Sequence, residues 1–485
     1  MGDYSVPAEV RAFKPKGSMV KRIKGNYYVY SHSQSKDPAT GKWKTAPGKL
    51  MGKIVPGVGY CPKGQRASSG GGITCFDYGE YLLACGVAKG EFDTLKKVLN
   101  PDEAAQIFFA AAHCALDGFG GIKALECDFE RSLVARDYPD LPFSYHRLSS
   151  LLELMGRTRK QADYQAELAK GSGEAIAIDG HAITTLSERN CLSAAGWKTA
   201  SVGSEYMNLM VALDVESLQP IATKAFPGYL PDKSDFPAFC ADMGDLSGKV
   251  LLVDMGFFSG GNVELIESWG AFYVVPVSEN RSEHKAMSKG RRGRPSQFLY
   301  KRGGKAEPVE YREEEIGGRR FVRYRNVAEA ERLSALYLEA VEAGKKGFSS
   351  EGYNRLRPGF GVVVLETNLG KPAPDVYSLY KSRWSIETYY DRLKNGIGFE
   401  ALNLDDYAVA QGLAFVMMVA GRIDARIAAA ARKVRMSRKE LIQLMRFLKL
   451  VDDGKRASIL NAKKQHSEVL SKLGIEMDVS AKCLG

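Results

Sequence analysis

The chain predicts an α/β fold: a mixed sheet with helices, interrupted by a β-rich insertion, behind an N-terminal β/helical region and ahead of a helical C-terminus. Three observations predict it. From Glu174 onward, apolar runs that read as strands ("AIAIDGHAI", "YMNLMVALDV", "QPIATKAF", "KVLLVDMGF", "AFYVVPV") alternate late in the series with the helical segments "KSDFPAFCADM" and "GNVELIESW". Three strands with short connections suit an antiparallel meander, and the later strand–helix–strand spacing suits parallel additions to the same sheet. A basic, Gly-rich stretch then breaks the order before "RRFVRYRN" and "GVVVLETN" resume strand character.

Taken in order, residues 1–66 form a basic β-rich region, with 13 Lys or Arg against Asp3, Glu9 and Asp37. There "NYYVYSH" and "GKLMGKIV" read as strands around a Gly/Pro/Lys-rich loop. Residues 67–170 turn helical: "FDTLKKVL", "DEAAQIFFAAAHCALDGFGG" and "LSSLLELMGRTRKQADYQAEL" have helical periodicity with Asp or Ser near their starts. Gly171-Ser172-Gly173 reads as a hinge into the sheet-forming segment, 171–280. The insertion spans 281–360, residues 361–404 return to the core with a helix around Glu387, and 405–485 are expected to be helical and basic.

The 485 residues exceed one domain of ordinary size, and 45% apolar residues are enough for a sizeable core. A net charge of +11 favours a polyanionic partner. The eight cysteines form no CxxC pair, so neither a zinc module nor a disulfide framework is indicated, and they read as reduced thiols. The opening residues lack the apolar centre of a secretory signal, and "LAFVMMVAG" (413–421) is too short to cross a bilayer. The expectation is a cytoplasmic protein with no membrane partner.

Three carboxylates organise the chemistry: Asp179 after "AIAI", Asp254 after "VLLV", and Glu387 within "YKSRWSIETYYDRLK". Strand-end carboxylates agree with where open α/β sheets bind ligands. Converging on one point with a helix carboxylate, they make an all-oxygen site suited to Mg²⁺ or Mn²⁺, and in a basic protein the matching substrate is a phosphodiester. At about 100° per residue, Tyr380, Arg383, Glu387 and Lys394 fall within about 60° on one helix face. Leu379, Ile386, Tyr389, Tyr390 and Leu393 gather on the adjoining face. A surface helix with an Arg383–Glu387 i,i+4 ion pair carries the same pattern. Asp391 shares the face of Glu387, so periodicity does not choose between them.

The spacing Tyr-x₂-Arg-x₃-Glu-x₆-Lys resembles the signature of a large branch of DDE transposases of bacterial insertion sequences. "IAIDGHAI" and "VLLVDMGFFSGGNV" resemble that family's two Asp motifs, in the expected order, over about residues 175–395. The separations are 75 and 133 residues, the larger resembling the family's β-rich insertion. The resemblance chooses Glu387 over Asp391. It implies a ribonuclease-H-like core in which Asp179, Asp254 and Glu387 bind two divalent metal ions per site, Mg²⁺ or Mn²⁺, and catalyse cleavage of transposon ends and strand transfer to target DNA. It also implies DNA contacts from Tyr380, Arg383 and Lys394. Met255 stands where the family commonly has Arg. His181 stands where small hydroxylic residues are frequent, and a packed or solvent-paired ring competes with one aimed at DNA.

"GRRGRP" (290–295), with Arg292 and Arg294, resembles the core of an AT-hook. As a single copy it also reads as a loop contacting phosphates. Residues 1–170 are candidates for recognising terminal inverted repeats, and the helical part, 67–170, for binding the DNA ends. Two ends require two active sites, so a homodimer is expected in the synaptic complex. Two other readings stand beside transposition: an inactive or co-opted DNA-binding derivative, and a structure-selective nuclease on the same fold.

Overall fold

A strand covered on both faces must be apolar on both, and Ala175–Ile178 and Val250–Val253 are, with every side chain buried. The computed structural model, which describes residues 6–36, 43–63, 74–187, 189–195, 205–288, 294–399, 401–402, 404–454 and 456–479, builds a sheet around these two runs. The chain divides into two units. One comprises Met1–Lys89, Gly121–Arg147 and Ile427–Gly485, the other Gly90–Gly120 and Leu148–Arg426.

In the second unit, β1 (Ala175–Thr185), β2 (Glu205–Asp214) and β3 (Gln219–Pro227) form an antiparallel meander. After helix α1 (Asp232–Ala241), β4 (Val250–Val253) pairs parallel to β1; after α2 (Gly260–Ser268), β5 (Phe272–Pro276) pairs parallel to β4. The spatial order β3-β2-β1-β4-β5 is that of a ribonuclease-H-like core. The expected strands and both helices lie where the sequence places them.

The insertion continues this sheet. Strands β6 (Ser296–Arg302), β7 (Lys305–Ile316) and β8 (Arg319–Asn326) are antiparallel neighbours. Their turns, Gly303-Gly304 and Gly317-Gly318, have φ of +56° and +80°, and +60° and +75°. Two consecutive left-handed residues suit the tight hairpins that follow strand twist, and glycine takes them without strain. Helix α3 (Val327–Glu342) leads back to β9 (Val362–Thr367), which pairs antiparallel to both β8 and β5. The strands thus run continuously as β6-β7-β8-β9-β5-β4-β1-β2-β3.

The segment carrying Glu387 is not one uniform helix. It consists of α4 (Ala373–Ser382), α5 (Ser385–Asp391) and a π-helical turn, Arg392–Gly396. At the junction Arg383 N–H and Trp384 N–H donate three residues back, to Tyr380 and Lys381, a local tightening that shifts the phase of the helix. Helix α6 (Tyr407–Lys433) crosses the helix Tyr145–Arg157 at Gly412 and Gly156. A Cβ on either would come within 2.1 Å of a backbone oxygen of the other helix. The helix Pro101–Asp117, opened by a capping box between Asn100 and Glu103, is buried from Ala104 to Leu116. Buried Glu91 accepts from Arg422 at 2.6 and 2.9 Å, from Arg426 and, at 3.0 Å, from the Tyr164 hydroxyl.

In the first unit, Ser18–Ile23, Asn26–Lys36, Trp43–Val55 and Gly59–Pro62 form a four-stranded antiparallel sheet packed on Val6 and Val10. The C-terminal segment, expected to be helical throughout, also supplies a hairpin (Lys449–Asp452, Ala457–Leu460) that pairs with Thr74–Asp77. Cys61, Cys75, Cys114, Cys127, Cys191 and Cys240 are free thiols; Cys85 is disulfide-bonded, which the scattered spacing did not suggest.

Candidate active site

The sheet order puts β1 beside β4, so the carboxylates of the two strands come together. Asp179 lies within β1 and Asp254 directly follows β4, whose Val253 is in register with Ile178. Gly180 N–H donates to Asp179 Oδ1 at 2.9 Å, and the Tyr390 hydroxyl donates to the Asp179 carbonyl at 2.8 Å. Tyr390, from α5, is buried and stacks on His181 with ring centroids 4.7 Å apart, so the histidine is a packed ring. Two contacts therefore tie the strand backbone at Asp179 to the Glu387 helix.

Arg383 joins the other two acids. Its Nη2 is 3.9 Å from Asp254 Oδ1 and its Nη1 3.9 Å from Glu387 Oε1. The Arg383 side chain is only 11% exposed, against 49% for Asp254 and 43% for Glu387, and Nη1 is buried without a hydrogen-bond partner. Tyr380 sits near the same pair; burial raises its pKa, Arg383 opposes and Asp254 adds to the rise. Asp179 is pushed up to about 7, chiefly by burial, against the Gly180 N–H and Arg383 and reinforced by Glu387 and Asp254. Three like-charged groups held this close destabilise one another's ionised form and favour a cation between them.

The donor set fits a hard divalent ion. It is all oxygen, its shared charge is only partly met by one guanidinium, and the Asp254 and Glu387 side chains are half exposed. As they stand, no three His, Cys, Asp or Glu side chains among the described residues are close enough to hold a metal; the guanidinium lies between two of the acids. Asp391 is exposed and accepts from Asn395 Nδ2 at 2.7 Å, occupied with its own helix. Lys394 is exposed in the π-helical turn and Arg294 just ahead of β6. Arg292 lies outside the described residues. Met255 is 49% exposed beside Asp254.

Residues without a motif also build the site. Buried Asn208 on β2 donates to Asp232 Oδ1 at 2.8 Å, and the Asp232 charge reaches Tyr390. Asn262 Nδ2 donates to Lys233 O and Phe257 O, both at 2.9 Å. It pins the 3₁₀ turn after Asp254 to α1. The only sequence signal for Asn262 is "SGGN", a Ser N-cap three residues before it.

A family model described as "Transposase DDE domain" matches residues 170–420, just over half of the chain. No curated protein matches. Among solved structures, the chain is similar to a piggyBac transposase in a synaptic complex with hairpin DNA, studied by cryo-electron microscopy. The identity is 14%, the match covers 79% of this chain and 78% of that one, and the TM-score is 0.39.

Proposed function

The chain belongs to the transposase DDE domain family, and from that premise we propose that it binds the terminal inverted repeats of an insertion sequence, cleaves the element's ends and joins them to target DNA. The observation that supports this best is the cluster itself. Asp179, Asp254 and Glu387, far apart in sequence, gather around Arg383, whose buried Nη1 has no hydrogen-bond partner.

Asp179, Asp254 and Glu387 would hold two divalent ions, Mg²⁺ or Mn²⁺, which when bound lower the pKa of an attacking water and stabilise the attacking and leaving oxygens of an in-line displacement. Gly180 N–H and the Tyr390 hydroxyl hold Asp179 in place. Arg383 Nη1, without a hydrogen-bond partner, donates to a phosphate oxygen, a planar fork being suited to that anion. Tyr380, its pKa raised by burial, stays a neutral hydrogen-bond donor beside the scissile phosphate. Lys394 holds the DNA near the scissile phosphate, Arg292 and Arg294 contact the DNA backbone outside the site, and residues 1–170 carry repeat recognition. The freed 3′-OH attacks target DNA at the same three carboxylates. No covalent enzyme intermediate forms.

Each core has one set of carboxylates, so joining two ends takes a homodimer. No helix among the described residues is long and apolar enough to cross a membrane, and we place the reaction on cytoplasmic DNA. Asp179→Ala, Asp254→Ala and Glu387→Ala should each lower Mg²⁺-dependent end cleavage by about 10³-fold or more, as expected of residues acting as a unit, while gel-shift binding of the repeats persists. Cleavage at the wild-type rate by any one of them would overturn the assignment.

A further inference from the structure

A cavity of about 400 Å³ opens behind α4 and α5. It is lined by Lys381, Ser385 and Arg392, none of which belongs to the Tyr380–Arg383–Glu387 face. The other walls come from Tyr300 and Arg302 of β6, the β2–β3 turn, and Asp424 of α6. Arg302, Lys381 and Arg392 make no ion pair among the described residues. Burial lowers the pKa of the Lys381 ammonium, and Arg302 lowers it further against Glu329 and Glu307. The Ser385 hydroxyl is buried without a hydrogen-bond partner. The ring of Tyr389 and the side chains of Leu393 and Ile397 add apolar wall.

The cavity lining itself carries Arg302, Lys381 and Arg392 against the single acid Asp424, with Glu329 and Glu307 acting on Lys381 from outside it; the lining thus holds surplus positive charge, and an unsatisfied buried hydroxyl adds a missing partner. Aromatic and apolar walls accept a flat ring. We infer that this cavity binds a free nucleoside monophosphate, its phosphate among Arg302, Lys381 and Arg392 and its base against the tyrosines. The site is a pocket walled by several elements, where a strand of DNA needs an open groove that follows its backbone. A nucleotide there braces α5, and with it Glu387, against β6 and α6.

The test is calorimetric titration of the metal-free, full-length protein with adenosine 5′-monophosphate, adenosine, inorganic phosphate and a short single-stranded oligonucleotide. The monophosphate should bind saturably at one site per chain, with adenosine and phosphate each weaker by about tenfold or more, the worth of charge-assisted hydrogen bonds. Lys381→Glu and Arg392→Glu should weaken the monophosphate by at least as much, and Lys381→Arg should retain it. Should a charge-reversed variant fail to fold by circular dichroism, Ser385→Ala decides, with weakened binding expected. Absence of saturable monophosphate binding, unchanged affinity in the folded variants, or binding of the oligonucleotide alone would overturn the inference. None of these readings depends on end cleavage.

Discussion

Arg383 is the residue around which the site is arranged: its guanidinium lies 3.9 Å from an oxygen of both Asp254 and Glu387. Asp179 beside them has an elevated pKa of about 7, chiefly from burial. A carboxyl whose folded pKa lies above its unfolded value stabilises the fold less as pH rises between the two, here from about 4 to about 7. Asp179→Asn should therefore stabilise the metal-free protein at pH 8, by on the order of 2 kcal/mol in denaturant unfolding once solvent access is allowed for, and change its stability little at pH 4. An equal shift at both pH values would refute the electrostatic origin. The acids were legible in the sequence because family spacing and, for the two aspartates, a place just after an apolar run singled them out, although Asp179 lies within its strand and not at its end. Asp232, Asn208 and Asn262 were not, because nothing local marks a polar side chain whose partner lies on another element.

At the scale of elements, β1–β5 were readable from apolar runs of strand length, and β8 and β9 from "RRFVRYRN" and "GVVVLETN", whereas β6 and β7 were hidden because their charged, half-exposed residues form no apolar run. What periodicity missed was the break at Arg383–Trp384, since both residues keep helical torsions and only the hydrogen-bond pattern changes. The turn after Asp254 depends on Asn262, whose amide donates to two carbonyls from different segments. Asn262→Ala should cost about 1–3 kcal/mol by leaving those buried acceptors unpaired. It should also lower cleavage more than repeat binding, because the 3₁₀ turn sets the direction of Asp254. Equal losses in gel-shift affinity and cleavage rate would contradict that role.

Across the molecule, the catalytic unit is tied together by groups distant in sequence. Glu91 meets Arg422, Arg426 and Tyr164 in one buried cluster. Burial alone would raise the Glu91 pKa, but the two guanidinium groups win and lower it. Its stabilisation is thus present above the unfolded carboxylate range and lost as pH falls through the depressed value. Glu91→Ala should destabilise by about 3–5 kcal/mol at neutral pH, through the unpaired buried cation it leaves, and by less in acid; denaturant unfolding at both pH values checks this. The net charge of +11 also disfavours association of free protomers. Light scattering should show monomer alone and two proteins with two repeat ends when DNA is added; a stable dimer without DNA would refute the charge argument. The joining of β9 to β5 bears on biosynthesis. Val274 pairs with Thr367, so the apolar edge of β5 stays open until the whole insertion has left the ribosome. Such late, non-local pairing slows folding and leaves a sticky edge exposed meanwhile. A nascent chain halted before residue 362 should aggregate, whereas one released after residue 367 can close its sheet.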